Sequence, residues 1–274
     1  MIQIKSRDEI ALMRQAGIVV GNTLATLRDS VKPGISTADL DEIARDCLAK
    51  AGATSNFLGY HGFPATVCTS VNEQIVHGIP SKKAVLADGD IVSIDFGAII
   101  EGYHGDAAIT VPVGEVTHAE LELLRVTEES LWHGMAAGLL GGRLIDVSRA
   151  IESYIRSQPH PTGGSWGIVE EYVGHGIGTE MHQDPQVHNF VGPRMGKGPE
   201  LVEGLALAVE PMVNLGSRMT KMLDDGWTVV TADGSRSAHF EHSFTMTEEG
   251  PWVLTALDGG RDRIAALSGV ATPA

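Results

Sequence analysis

Two cysteines, Cys47 and Cys68, are all that the 274 residues contain. That excludes a disulfide framework and fits a reducing cytosol. Basic residues are also scarce: 20 Lys and Arg stand against 35 Asp and Glu, a net charge of −15. A chain so acidic is a poor general binder of nucleic acid or of anionic membrane surfaces. No run approaches the ~18 apolar residues of a membrane span. The opening MIQIKSRDEIALMR carries charge within its first ten residues, which excludes the apolar core of a signal peptide. Familiar catalytic signatures are missing too. No GxSxG stands between a strand and a helix as a nucleophile elbow would, no P-loop or GxGxxG occurs in such a context, and there is no HExxH or CxxC. Glycine (33) and proline (12), by contrast, are plentiful, so turns and strands are expected rather than a helical bundle. The length suits one large domain or two small ones.

What the chain does contain is a copy of its own pattern. VLADGDIVSID (85–95) lies over ELVEGLALAVE (200–210). Each has an acidic-Gly step (Asp88-Gly89, Glu203-Gly204), an apolar run, and then a carboxylate where polarity is out of place, Asp95 or Glu210. Each half supplies a second carboxylate, Asp106 in YHGDAAITV and Glu241 in AHFEHSFTM, two residues after a His and four before a Thr. Four carboxylates in two equivalent pairs point to a two-fold arrangement closing on one polyanionic site. Such a cluster survives in an interior only with protons or cations to neutralise it. A pair of divalent metals is the natural neutraliser.

The elements repeat in the same order. Ser6 and Glu9 have capping-box spacing and predict a helix from about 7 to 28, broken by Pro33-Gly34. Thr37 opens a second helix ending near Gly52, and strands follow over 66–70, 91–96 and 107–113, with Asp95 read at the end of the second. In the second half Thr117 and Glu120 cap a helix to about 138, Gly141-Gly142 breaks it, and Asp146 opens another to about 157. Strands are expected over 168–173, 205–210 and 240–247. No Gly/Ser-rich linker divides the halves. The expectation is an α+β fold in a single domain over 1–274, with pseudo-symmetric halves at about 5–115 and 116–256. The halves share a curved sheet with helices on its outer side, and 258–274 forms a loosely held tail.

Histidines form a second group. His175 sits between glycines in GHGIG and His182 follows in MHQDP. A His so placed reads as a ligand or catalytic group at a tight backbone turn, where glycine permits close approach of the backbone to a ligand. His77 in VHGIP and His61 in GYHGFP lie in Gly/Pro-rich loops. His239 and His242 flank Glu241 and are read as supporting it. His118, His133, His160 and His188 have no such context and read as surface or structural residues. Cys68, with strand-like flanks, reads as a packed thiol rather than a nucleophile.

NEQIVHGIP, the Asp95-to-Asp106 spacing, GHGIG, His182, AVEP around Glu210 and FEHSFTMTEEG together resemble type I methionine aminopeptidase over about residues 5–256. The resemblance implies the pita-bread fold and a metalloexopeptidase that removes N-terminal methionine when the second residue is small. It implies two divalent metal ions (iron(II), cobalt or manganese) on Asp95, Asp106, His175, Glu210 and Glu241. Asp106 and Glu241 bridge; Asp95 belongs to one metal, and His175 with Glu210 to the other. Glu210 is the implied proton shuttle, with His77 and His182 as catalytic histidines that also touch substrate. The implied methionine pocket comprises Phe57, Tyr60, His61, Phe63, Cys68, Met181 and Trp227. Two of these depart from the usual pattern: Phe57 stands where Cys or a small residue is usual, and Met181 where Phe is. HQDP likewise replaces the usual acidic pair after His182. The implied partners are the N-termini of nascent polypeptides near the ribosome exit tunnel. No membrane or specific nucleic acid is implied, and the protein is expected to be a cytoplasmic monomer.

Rival readings are a proline dipeptidase or X-Pro aminopeptidase of the same fold, a type II methionine aminopeptidase, and a non-catalytic binding protein on this scaffold. The first carries an extra N-terminal domain for which this chain has no room. The second carries a long insertion that is absent here. The third typically loses ligand residues, whereas all five stand in this chain.

Overall fold

A computed structural model describes residues 1–268. The first half runs α1 (Arg7–Ser30), α2 (Thr37–Ala51), β1 (Thr54–Ser55), β2 (Val67–Val71), β3 (Gln74–Val76), β4 (Ile91–Ile100) and β5 (Tyr103–Pro112). The second opens with α3 (His118–Ala136) and α4 (Leu144–Ser157). Short strands follow: β6 (Gly167–Ile168), β7 (Gly174–Gly176), β8 (Gln183–Val187), β9 (Ala206–Val209), β10 (Met212–Asn214), β11 (Thr220–Met222), β12 (Val229–Thr231) and β13 (Ser237–His239). β14 (Glu241–Thr247), β15 (Gly250–Val253) and α5 (Arg261–Ser268) complete the described chain.

The helices begin where local chemistry starts them. Ser6 and Glu9 exchange both capping hydrogen bonds, at 3.3 and 2.7 Å. Thr117 and Glu120 do the same for α3. α2 begins at Thr37, as expected, and its cap is Ser36, from which Asp39 completes the box. α4 starts at Leu144 rather than Asp146. Asp146 is its third residue, and its carboxylate accepts the Arg143 N–H at 2.9 Å.

The main sheet runs β1-β4-β5-β14-β9-β7-β8, with β2 also paired to β4 and β15 to β14, and every pairing is antiparallel. First-half strands β4 and β5 meet second-half strands β14 and β9 at its centre, so the sheet is continuous across both halves. Strand alternation sorts its faces. Ile94, Phe96, Ala107 and Val111 pack with Val20, Leu24 and Leu40 of α1 and α2. Leu207, Val209, Phe244 and Met246 pack with Leu131, Met135 and Ile151 of α3 and α4. Among the described residues α1 is the one helix long and apolar enough to cross a membrane by length and composition. Its Ile10, Met13, Val20, Leu24 and Leu27 are buried in the core.

Three expectations are corrected. β4 does not end at Asp95 but continues to Ile100, because Glu101 (φ 47°) and Gly102 (φ 81°) form the two-residue turn that lets it pair along its whole length with β5. The strand expected over 168–173 is only Gly167–Ile168. Beyond it the chain leaves a small sheet, β13-β10-β6, to enter the main sheet at Gly174. The tail is helical through α5, where Arg263 reaches Glu129 at 2.9 Å and lies 5.1 Å over the Trp132 ring. The rest of the expected tail, 269–274, lies outside the described residues.

Candidate metal centre

The face of the sheet turned away from the helices carries the unexpected polar residues, and the pairing register sets them in two rows. Asp95 is opposite Ala108, and Ala108 is opposite Glu241. Because Val209 is opposite His242, Glu210 arrives level with Glu241. One row therefore reads Asp95, Ala108, Glu241, Glu210. In the next, Gly97 is opposite Asp106. The Ser243 hydroxyl donates to the Asp106 carbonyl (2.8 Å) and accepts its N–H (3.2 Å). Ser243 faces Ala208, which faces His175. The residues between the functional groups are Gly, Ala and Ser, which leaves the space above them open.

Asp106 and His175 are three strands apart, about 14 Å on a flat sheet at ~4.8 Å per strand. Yet ligand atoms of Asp106, His175 and Glu241 lie within 4.8 Å of one another. The sheet must therefore curl, with these side chains on its concave face. The glycines beside His175 make this possible, although not as a turn: neither has positive φ. A Cβ on Gly174 would strike the Ala208 carbonyl, and one on Gly176 the Asp184 carbonyl. The close approach is thus to neighbouring strands rather than to a ligand.

A cavity of about 140 Å³ opens over the rows, lined by the four carboxylates, His175, His77, His182, Phe57, Tyr60, Phe63, Cys68, Met181 and Trp227. Every residue expected at the site is there except His61. That side chain is exposed on the turn Tyr60–Gly62 and stacks edge-on against Tyr60 at 4.4 Å. Its local GYHGFP context says nothing of direction, and the turn aims Tyr60 inward instead. The apolar wall is aromatic: Phe63 meets Trp227 at 5.1 Å and Phe57 at 6.5 Å, both edge-to-face. Cys68 is 4% exposed, and burial pushes its thiol well up, as fits a packed thiol. A larger open groove of about 820 Å³ lies between Lys5, Arg7, Trp252 and Arg261, away from this chemistry.

Burial dominates the electrostatics. It raises Asp95 to about 7 and Glu210 to about 8, and it drives Asp106 and Glu241 well above the usual carboxylate range, with neighbouring carboxylates adding to the rise. His175 falls to about 3 and His77 to about 4, also through burial, so both are neutral at pH 7. Among the described residues Asp95 Oδ1, Asp106 Oδ1 and Glu241 Oε1 are buried without a hydrogen-bond partner. Orphaned acceptors that converge beside a neutral imidazole are the donor set a divalent cation requires, so the residues fit metal.

Around the rows, His77 occupies a left-handed conformation (φ 62°) just after β3, with its ring 5.8 Å from Tyr172 and 6.3 Å from Trp227. His182 lies at the mouth, 4.3 Å ring to ring from His175, and its Nδ1 is 2.8 Å from the Tyr60 hydroxyl. His242 does not support Glu241. Alternation sends it to the helix face, where its Nδ1 bonds the Thr255 hydroxyl at 2.8 Å and its ring meets Trp132. His239, from β13 in the layer above, does reach the site, with Nε2 3.6 Å from Glu210. Its sequence signal is its place two residues before Glu241.

The family model described as metallopeptidase family M24 matches residues 11–248. The chain is 51% identical over 251 residues to methionine aminopeptidase 1 of Mycobacterium tuberculosis, covering 92% of this chain and 94% of that protein. It is 49% identical over 255 residues to the methionine aminopeptidase of Clostridium acetobutylicum, covering 93% and 99%. The crystal structure of methionine aminopeptidase from Thermotoga maritima superposes with a TM-score of 0.88 at 41% identity, covering 93% of this chain and 100% of that one.

Proposed function

The chain belongs to metallopeptidase family M24, with methionine aminopeptidases as its near relatives, and from that premise we propose that it hydrolyses N-terminal methionine from polypeptides whose second residue is small. The observation that carries the reading is the convergence of four carboxylates and one imidazole on the floor of a cavity with an aromatic wall. About 140 Å³ is close to the ~150 Å³ that admits a benzene-sized group, a volume suited to one unbranched thioether side chain.

Asp95, Asp106, His175, Glu210 and Glu241 would hold two divalent cations. When bound, the cations supply charge that lowers the pKa of water and receives a free α-amine. A carboxylate-rich set with one imidazole suits iron(II), manganese or cobalt. Glu210 takes a proton from the attacking water as its oxygen bonds the first carbonyl carbon, then returns it to the departing amine as the C–N bond breaks. His182 donates an N–H to the developing oxyanion. If Tyr60 donates its O–H to Nδ1 (2.8 Å), the His182 proton sits on Nε2, the tautomer this role needs. His77, neutral at pH 7, hydrogen-bonds the scissile amide. The pocket walls are Phe57, Tyr60, Phe63, Cys68, Met181 and Trp227. The catalytic unit spans both halves, and its substrates are nascent N-termini met in the cytoplasm.

The test is cleavage by chelated protein resupplied with iron(II), manganese or cobalt. Met-Ala-Ser should be cleaved, whereas Met-Lys-Ser, Phe-Ala-Ser and Ala-Pro should not. Full activity in protein shown metal-free by elemental analysis, or equal cleavage of Met-Ala-Ser and Met-Lys-Ser, refutes the reading.

A further inference from the structure

His239 is 2% exposed, and its Nε2 has no hydrogen-bond partner among the described residues. Its backbone is held on both sides by one hydroxyl. The His239 N–H donates to Thr110 Oγ1 at 2.9 Å, and that hydroxyl donates to the His239 carbonyl at 2.8 Å. Ser93 Oγ lies 2.9 Å from Thr110 Oγ1. This side chain is therefore rigidly delivered from β13 onto the carboxylate face, and a buried donor so fixed needs an acceptor. The acceptor in reach is Glu210 Oε2 at 3.6 Å, a few tenths of an ångström beyond a hydrogen bond. The other oxygen of the same carboxylate, Oε1, faces His175 Nε2 at 3.7 Å. Glu210 thus lies between two imidazoles, one on its own sheet and one from the layer above. His239 is not part of the cluster of Asp106, His175 and Glu241 whose ligand atoms converge.

We propose that His239 is a positioning residue for Glu210: its Nε2–H donates to Oε2 and so commits Oε1 to the metal and to proton transfer. The inference rests on the role proposed above for Glu210. A free carboxylate has two equivalent oxygens and can turn about its last torsion, which is broad and two-fold. A group that must both hold a cation and move a proton needs that torsion fixed, and a donor on one oxygen fixes it. Such partners behind a metal ligand typically contribute about 10–100-fold in affinity or activity.

The experiment compares His239→Gln, which keeps an N–H donor, with His239→Leu, which removes it. Chelated proteins are titrated with manganese by calorimetry, and kcat and KM are measured separately on Met-Ala-Ser. His239→Leu should weaken manganese binding about 10–100-fold and lower kcat with little change in KM, and His239→Gln should restore both to within a few-fold of wild type. A Gln variant as impaired as the Leu variant would make the ring a direct ligand or mere packing, and a Leu variant equal to wild type would make it a spectator; either overturns the proposal. Should His239→Leu fail to fold, nitrogen-15 NMR of the metal-loaded wild type decides instead. A proton on Nε2 is required, and a bare Nε2 refutes the donor. The manganese titration is independent of peptide cleavage. If the binding order holds while Met-Ala-Ser is not cleaved, the proposed activity fails and the positioning of Glu210 stands.

Discussion

Replacing Glu210 by glutamine should stabilise the metal-free protein, increasingly so as pH rises. Burial raises the carboxyl from 4.5 to about 8. The sign follows from proton counting. Between those values the folded wild type keeps a proton that the unfolded chain has lost. Its stability is therefore whole below pH ~4.5 and declines until the pH passes about 8, by about 1.4 kcal/mol per unit. Glutamine is isosteric and cannot ionise, so the variant escapes the decline. The 3.5-unit interval sets a ceiling of about 5 kcal/mol. The realised gain is smaller, because the other carboxylates share the cavity and exchange protons with Glu210. Comparing two proteins that differ at one residue matters here. Histidines lowered by burial, such as His104 and His242 at about 4, tilt stability the opposite way below pH ~6.5, and Lys5, lowered to about 8, does so above that value. Both effects are common to the pair and cancel. The assay is urea unfolding in chelator at pH 5, 6, 7 and 8, followed by circular dichroism. The two proteins should nearly coincide at pH 5 and separate by a few kcal/mol at pH 8, with the glutamine variant more stable. Saturating manganese should reverse the order, since only the wild type keeps the full donor set. A difference that does not grow with pH would refute the argument that burial of this carboxylate opposes folding.

His77→Ala should lower kcat about 10²–10⁴-fold with both metals retained by elemental analysis, whereas Glu210→Ala should lose metal and rate together. Phe57 forms part of the cavity wall beside Phe63, so Phe57→Cys should open it and raise kcat/KM for leucine and norleucine substrates relative to methionine; unchanged selectivity would remove Phe57 from the pocket. Gly176→Ala places a Cβ against the Asp184 carbonyl. It should cost about 1–3 kcal/mol in urea unfolding and weaken manganese binding by displacing His175, which the same substitution at exposed Gly196, where a Cβ meets nothing within 4 Å, should not do.

The sequence by itself determined that two halves would each start with capped helices and each deliver two carboxylates. Caps and apolar periods are local: Ser6 with Glu9 and Thr117 with Glu120 lie three residues apart, and each pair closes its helix without help from the rest of the chain. Strands of two or three residues, such as β6, β7 and β10 to β13, are too short to show a period and went unseen or were overextended. Asp95 was legible as an odd carboxylate but not as a mid-strand one, because only pairing with β5 carries β4 on to Ile100. Which residues share the cavity was decided by tertiary structure. Alternation fixes the face a side chain takes once its strand exists, and so it turned His242 toward Trp132. Register fixes its neighbours, and register is set by partners far along the chain: Glu241 opposite Ala108 and His175 opposite Ala208. The repeat suggests strict two-fold equivalence, yet Asp95 sits level with Ala108 while Glu210 sits level with Glu241. The halves are therefore offset by two residues, and no comparison of motifs contains that offset. The same non-local packing leaves His61 exposed and brings His239 in from a second layer, because the curl of the sheet, not the spacing of residues, decides what meets above its concave face.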